Sequence, residues 1–594
     1  MAEVFSLPVL IDVQPATVTG TVALPVVINV VEPERFQLGL TVSVYDASTL
    51  PGNGGTLTNS TFAVYVSVAG IDYTDRLIGS VEVDAEEGAA RVASFTVIAR
   101  AGVFEPDTWI NLPVIIDYEQ DGVRYRLFTG YVDLPELSLD DQSITVTCTD
   151  NLQGRFEGQE RAAMEALFAG TGVRWSAALF GEYSDSQQFA DDLLSTVPAS
   201  ADLDRNGFMV FGDWYSGGFQ FSFADADVFP ESVAVEWGSR REIINRVNVK
   251  LDYTFQFFRE RKQRFDWDYP RYFTDYLEQN TSLPNNDMVR QAADGTGWDL
   301  LGNIRYTRLP PSGTYTLPGG GESNWVVSEE IRQYVALGAH FTLRKRWVQD
   351  VKQSLAITVE STPNIERFDV LPDQVSAALD TSEDEDGFGD FEREPAVPAT
   401  ALGSDTAWPT YDAAQLQAAF DTCVAHAGVI ILGSARQNSV SFKTLLQPEI
   451  ERHHFARLQS ATVSAQGKCR SVHHVIDLAG GSATSEIELA VFRGETSTEN
   501  IPALPGLTYT EATRPTETSL GTALQDNAGS VAVPPDDFQG YVGNELPIVN
   551  ANPFDERFAI KTPDISDAAR NAIEQSFELA VQAPMYNQTL TVSL

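Results

Sequence analysis

From Val247 to Phe257 apolar and polar residues alternate without a break. Val247, Val249, Leu251, Tyr253, Phe255 and Phe257 fall on one side, and Asn248, Lys250, Asp252, Thr254 and Gln256 on the other. Successive side chains of a β-strand point to opposite faces, so this pattern predicts one long strand with a dry face and a wet face. It is longer than a typical strand. A chain that must bury one side of such a strand needs neighbouring strands and a layer of core beneath them.

Further strand signals surround it. Ala63–Val68, Arg91–Ile98 and Ser143–Thr149 have strand composition, with turn residues between them. Val114–Tyr118 and Val123–Phe128 flank Gln120-Asp121-Gly122, which predicts a hairpin with an Asp-Gly turn. Short strands at this spacing argue for a barrel or sandwich. Leu-Pro followed by an aliphatic run recurs at Leu7, Leu24 and Leu112, and proline fits the first residue of a strand. The spacing is too uneven for a solenoid.

Helical patterns interrupt the strands at Gly158–Ala169, stopped by Gly170, and at Ser184–Val197. In the last third, Ala413–Ala427 reads as a helix ending at Gly428, and Ser566–Ala580 as a second helix. Strands are expected at Val429–Leu432, Val440–Thr444, Ser471–Leu478, Ile487–Phe492 and Gln588–Ser593.

With 594 residues the chain is too long for a single core. Loops at Pro51–Gly55, Pro310–Gly313 and Gly319–Gly321 and an acidic tract, Ser382–Glu394, suggest the divisions. The expected organisation is an N-terminal β extension (1–60), a first β-barrel module (61–155), a helical and mixed insertion (156–235), a second β-barrel module (236–380), an acidic linker (381–409) and a C-terminal α+β extension (410–594). The fold class is therefore mainly β with α+β insertions, in several domains.

Lys and Arg number 40 against 83 Asp and Glu, a net charge of −43. This argues against general binding to a nucleic-acid backbone and against docking on an anionic membrane. It suits solubility through self-repulsion, and equally a surface that DNA can slide past without sticking. Positive charge gathers at Arg240, Arg241, Arg246, Lys250, Arg259, Arg261, Lys262 and Arg264, where acidic protein neighbours are the expected partners. Cys148, Cys423 and Cys469 are too few and scattered for a disulfide framework, which points to synthesis in a reducing cytoplasm. No signal peptide is read after Met1. The apolar stretch Val22–Val31 holds Pro25 and Asn29 and is too short to span a bilayer.

Asp202-Leu203-Asp204-Arg205-Asn206-Gly207 begins a candidate calcium loop that would close at Asp213. Asp202, Asp204 and Asn206 hold ligand positions one, three and five, Gly207 the turn, and Asp213 the twelfth place, where Asp for Glu would weaken affinity. The competing reading is an Asx-rich turn into a strand at Phe208–Tyr215. A poorer copy, Asp384-Glu385-Asp386-Gly387, reads as a solvated loop. His453-His454 and His473-His474 flank Cys469, but neighbours in a strand face opposite ways and do not readily share a zinc ion. There is no nucleophile elbow, no His-Glu-x-x-His and no phosphate loop. No enzyme activity and no cofactor is expected beyond calcium at that loop.

The stretch Ser80–Gly154 resembles the barrel module of phage tail hub proteins, which include the baseplate hub of contractile tails and the late-control protein D group. The likeness lies in Glu86-Glu87-Gly88-Ala89-Ala90-Arg91-Val92-Ala93-Ser94-Phe95 and Trp109-Ile110-Asn111-Leu112-Pro113-Val114. It continues in Arg126-Leu127-Phe128-Thr129-Gly130-Tyr131-Val132-Asp133 and in Ile144-Thr145-Val146-Thr147-Cys148-Thr149-Asp150. Ile244–Val249 and Phe341–Asp350 are looser matches to the hub's second barrel and to long siphophage tail proteins. The resemblance implies a virion protein at the tail tip, commonly a homotrimer. It would close the tail tube, contact tube, tape-measure, and tip or fibre proteins, and open for DNA ejection. A receptor-binding or adhesin-type tail protein and a tail-associated cell-wall or polysaccharide hydrolase are the alternatives.

Overall fold

A computed structural model describes residues 4–13, 20–29, 62–99, 104–180, 185–239, 242–268, 283–308, 315–316, 322–323, 337–382, 405–506, 541–545, 557–561, 565 and 567–593. The loops expected at Pro51–Gly55, Pro310–Gly313 and Gly319–Gly321, the acidic tract beyond Ser382, Arg240, Arg241 and most of 501–552 lie outside these residues.

The strands, in chain order, are β1 (Val4–Val13), β2 (Gly20–Asn29), β3 (Phe62–Val68), β4 (Ile71–Asp72), β5 (Leu77–Glu86), β6 (Val92–Ile98), β7 (Pro113–Gln120), β8 (Val123–Ser138) and β9 (Ser143–Thr149). Then come β10 (Ala199–Leu203), β11 (Met209–Asp213), β12 (Phe221–Ala224), β13 (Ala234–Glu236), β14 (Arg246–Asp268), β15 (Trp298–Arg308), β16 (Tyr315–Thr316), β17 (Glu322–Ser323), β18 (Gly338–Glu360) and β19 (Pro372–Asp380). The last are β20 (Asp405–Pro409), β21 (Asn438–Leu445), β22 (Phe455–Gln459), β23 (Val463–Asp477), β24 (Ser482–Val491), β25 (Tyr541–Glu545), β26 (Arg557–Lys561), β27 (Ile573–Gln582) and β28 (Leu590–Val592). The chain is multidomain and mainly β, with helices between the sheets.

The alternating stretch forms part of β14, which runs for 23 residues, or ~75 Å at the usual rise per residue. It pairs antiparallel with β18 along its whole length, from Arg246 opposite Glu360 to Asp268 opposite Gly338. At one end β19 and β27 add parallel strands to the two sides of this ribbon. There the dry face of β14 packs with Val351, Leu355, Ile357 and Val359 of β18 against the helix Ala413–Ala435. Midway β20 pairs with Phe257–Arg261 of β14, and at the other end β15 flanks β18. There Phe265, Phe341 and Leu343 pack against Val289 and Trp298. Between the two cores the same inward register holds buried Arg259 and Arg261. The apolar alternation stops at Phe257 because the ribbon leaves one core there; the strand itself continues. Of the basic cluster, Arg246 meets Glu360 at 2.6 Å, and Lys250 meets Asp252 and Lys262 meets Glu260, each at 2.8 Å.

The other large sheet has 14 strands, ordered β13-β21-β24-β23-β5-β6-β9-β8-β7-β3-β4 with β12, β22 and β28 attached. The first expected barrel module, 61–155, supplies β3 to β9. The β7–β8 hairpin turns at Asp121 and Gly122, with φ of 52° and 83°, as the Asp-Gly signal requires. The barrel expected here is an open sheet instead: among the described residues no ladder closes it. The free edge of β5 is taken by β23, from Glu86 opposite Ser471 to Ser80 opposite Asp477, so the sheet extends into the C-terminal strands.

The two Leu-Pro copies near the N-terminus pair with each other, Pro8 opposite Pro25, and the third opens β7 at Pro113. The first insertion helix is Arg161–Leu167, with Gly170 left-handed at φ 94°. The second is Ser186–Leu194, whose N-cap Asp185 accepts a hydrogen bond from the Gln187 N–H at 2.9 Å. The helix expected to end at Gly428 runs on to Ala435, and the strand expected at Val429–Leu432 is its last turns. Val424, Ala427, Ile431 and Ala435 continue the buried helical stripe past the glycine. By length and composition this helix could cross a bilayer; here it is packed into the ribbon's core. Ser566–Ala580 is not a helix beyond Asp567–Arg570; it becomes β27, in register beside β18. Its Glu and Ala residues sit at outward positions, and pairing with β18 overrides their helical preference.

Candidate functional site

The candidate calcium residues lie on the β10–β11 hairpin. Asp202 is opposite Val210, and Asp213 is at the far end opposite Ala199. Asp204 holds the turn: its Oδ1 accepts the N–H of Asn206 at 2.9 Å and of Phe208 at 2.8 Å. Asn206 also donates its side-chain amide to Asp204 at 3.3 Å. Gly207 is left-handed, with φ 82°. Asp202 points inward, where its carboxylate accepts the Gly88 N–H at 2.9 Å and the Ser200 hydroxyl at 2.8 Å. The structure brings Asp204 and Asn206 together and leaves Asp202 and Asp213 apart. Among the described residues no group of three or more His, Cys, Asp or Glu is placed to hold a metal ion.

What Asp202 points into is a buried ionic junction that the sequence did not announce. Arg452 is buried and donates to the carbonyls of Glu86 at 2.8 Å, Ala89 at 2.6 Å and Leu203 at 2.8 Å. The carboxylates of Asp202, at 3.5 Å, and Asp150, at 3.8 Å, face it. Lys468 has no exposed surface and donates to Glu87 at 2.6 Å and to Ser200 Oγ and the Gly212 carbonyl at 2.8 Å each. Arg436 reaches the other oxygen of Glu87 at 2.8 Å and lies over the Trp214 ring at 4.9 Å. Arg91 donates to Glu451 at 2.7 Å and to the Leu127 carbonyl at 2.9 Å. Glu451 also accepts the Arg205 N–H at 3.0 Å.

These charges come from the β5–β6 connection and the end of β9, from the β10–β11 hairpin, and from the C-terminal part: the cap of the helix Ala413–Ala435, the connection between β21 and β22, and β23. Their geometry fastens the hairpin between the two halves of the large sheet. Burial alone would raise the Glu87 carboxyl, but Lys468 and Arg436 reverse that and hold it below the ordinary value. Asp150 keeps its burial-driven rise despite Arg452 nearby.

The histidine doublets belong to the same region. His474 is buried, with Nδ1 2.8 Å from Ser485 Oγ, whereas His473 turns outward toward Glu82 at 3.9 Å. His454 Nδ1 accepts the Glu451 N–H at 3.0 Å. Burial, with Arg91 and His473 for the one and His453 and Arg205 for the other, pulls both His474 and His454 down to about 3. They are neutral bases held among cations. Cys469 is separately buried in an apolar cluster.

The motifs that carry the tail-hub likeness have structural tasks at this junction. A side chain at Gly130 would place its Cβ 2.3 Å from the Thr149 carbonyl, so the close approach of β8 to β9 needs glycine. Asp150 ends the second motif by accepting the Leu152 N–H at 3.1 Å. Two clefts of about 320 and 390 Å³ lie near the hairpin, and neither is lined by Glu87, Glu451, Arg452 or Lys468. The junction's charges are committed to one another and face no described cleft, an arrangement suited to bracing.

No family model matches this sequence, and no curated protein matches it. Among solved structures, the chain is similar to the 43 kDa tail protein of prophage MuSo2 from Shewanella oneidensis, at 11% identity over 72% of this chain and 98% of that one, with a TM-score of 0.33. A tail protein from Neisseria meningitidis MC58 aligns at 10% identity over 72% and 96%, TM-score 0.34. The prophage tail protein gp18 from Listeria monocytogenes EGD-e aligns at 8% identity over 72% and 94%, TM-score 0.32. At these scores the likeness does not amount to a superimposable fold.

Proposed function

We propose that the chain is a structural subunit of a phage-type tail, placed at the tail tip as its hub. In this reading it closes the tail tube, carries tip or fibre proteins, and opens when DNA leaves. The observation that carries the reading is the buried junction around Glu87, Glu451, Arg452 and Lys468. It braces remote segments into one rigid frame with charges that catalysis would need free. Two supports stand beside it. Two of the hub-like segments, Arg126–Asp133 and Ile144–Asp150, lie on neighbouring strands of one sheet, β8 and β9. A chain of net charge −43 would also not retain passing DNA.

Imaging of particles that carry the chain tests this. Density for the subunit in a ring at the tip is the expected result. A chain that never enters particles, or that decorates only the fibres, would overturn the hub reading. Turnover of cell-wall polymer by the purified chain would replace it with an enzymatic one.

A further inference from the structure

One group of exposed apolar side chains among the described residues lies on β6, β8 and the turn that follows. Val92, Ile98, Tyr131, Leu134 and Leu137 of β6 and β8 are all more than one-third exposed, and Leu139 is 80% exposed. Leu139 opens the turn between β8 and β9. Asp140, Asp141 and Gln142 follow it, all exposed. The turn is held in shape. The ladder closes at Ser138 opposite Ser143, and the Gln142 carbonyl accepts the Ala99 N–H at 2.8 Å. An apolar tip with two carboxylates behind it is a preformed knob, so little entropy is lost when it docks.

A cleft that could receive it lies beyond the other end of the same sheet. The open cleft of about 390 Å³ between the helix Arg161–Leu167 and the β10–β11 hairpin has an apolar wall of Ala163, Met164, Leu167 and Met209, with polar Gln159 and Asn206 beside it. Phe208 at its lip is 69% exposed. Arg155 is the one charged residue in the lining. It donates to the Gly207 carbonyl at 3.2 Å and makes no ion pair among the described residues. The knob sits at the Ser143 end of β9 and the cleft beyond its Thr149 end. Seven residues of strand, ~20 Å, keep the two apart within one copy.

We propose that Leu139 of one copy seats in this cleft on a second copy of the chain, with Asp140 and Asp141 meeting Arg155. The contact names a partner for the assembly reading above, and its biological meaning rests on that reading. Two copies at −43 each repel almost everywhere. They can meet where an apolar tip rests on the apolar wall of a mixed cleft and its carboxylates find an unpaired cation. Because knob and hole lie at opposite ends of the sheet, the contact is head-to-tail. Repeated, it closes a ring or grows a filament.

Sedimentation of the purified full-length chain over a concentration series tests the contact. The wild type should self-associate, and Leu139→Glu and Arg155→Glu should each weaken association about tenfold or more. Both residues are exposed, so unchanged circular dichroism and melting should accompany the loss. Arg155→Glu combined with Asp140→Arg and Asp141→Arg should restore it. A wild type that stays monomeric to its solubility limit overturns the proposal, as does an oligomer that these changes leave intact. Either result leaves the tip reading standing if particle images still place the subunit there. Association through this contact by a chain absent from particles would sink the tip reading and keep the contact.

Discussion

The apolar end of the β14–β18 ribbon and the ionic junction are both largely buried, and they hold together by opposite means. In the ribbon each side chain gains by leaving water, whatever its neighbour does. In the junction each charge is tolerable only while its partner stays in place. Glu87 illustrates the dependence, because Lys468 and Arg436 both end on its two oxygens. The ribbon should therefore respond to mutation locally and evenly, and the junction all at once and with pH.

The largest effect should come from breaking the junction on one side. Glu87→Gln leaves two buried cations without their counter-charge. It should cost about 3–5 kcal/mol in denaturant unfolding at neutral pH. Loss within the error of a surface substitution would mean that water reaches Lys468. In the ribbon, Leu251→Ala should cost about 2–5 kcal/mol through lost burial and the cavity it leaves. That cost should be the same at pH 7 and pH 5. A marked pH dependence there would erase the distinction between the two regions.

The acid response sharpens the comparison further. His454 and His474 have folded values near 3, below the ordinary 6.5. The folded state therefore binds fewer protons than the unfolded one. Their contribution is fully present above pH 6.5 and drains away as the pH falls toward 3, by at most about 1.4 kcal/mol per pH unit for each group. Glu87, also lowered, adds to the loss at the acid end, while the raised Asp150 works in the opposite direction. Unfolding midpoints followed from pH 7 to pH 4 should fall, and His474→Asn should flatten the slope. An unchanged slope would show that His474 already titrates normally.

The contrast also explains what could be read in the sequence. The ribbon was legible because its chemistry is local: a period of two over Val247–Phe257 states both the strand and its buried face. The Asp121-Gly122 turn was legible for the same reason. The junction was not, since Arg91 and Glu451 are 360 positions apart and no periodicity links them. A lysine beside Cys469 in an otherwise strand-like run was the faint signal, because charge at an inward position needs a partner somewhere. β27 is not legible in the sequence because its outward positions carry good helix formers, and only its parallel neighbour β18 decides its state. A glycine after an apolar helix usually ends it, but at Gly428 the buried stripe runs past.

The smallest expected effect concerns the hairpin that resembles a calcium loop. Calcium takes six to eight oxygens at about 2.3–2.6 Å, drawn in from around the ion. Asp202 spends its carboxylate on Gly88, Ser200 and Arg452. Asp213 lies three residues along β11 from Val210, the residue opposite Asp202, or ~10 Å away. Asp204 is the one carboxylate at the turn, and two backbone N–H groups already occupy its Oδ1. Asp204→Ala should thus cost about 1–2 kcal/mol by freeing those donors, with or without calcium in the buffer. Calorimetry of the apo protein with millimolar calcium should show no heat. Binding that both Asp202→Ala and Asp204→Ala abolish would instead mean that the ion can pull Asp202 out of the junction, and the hairpin would then be a calcium-sensitive part of the frame.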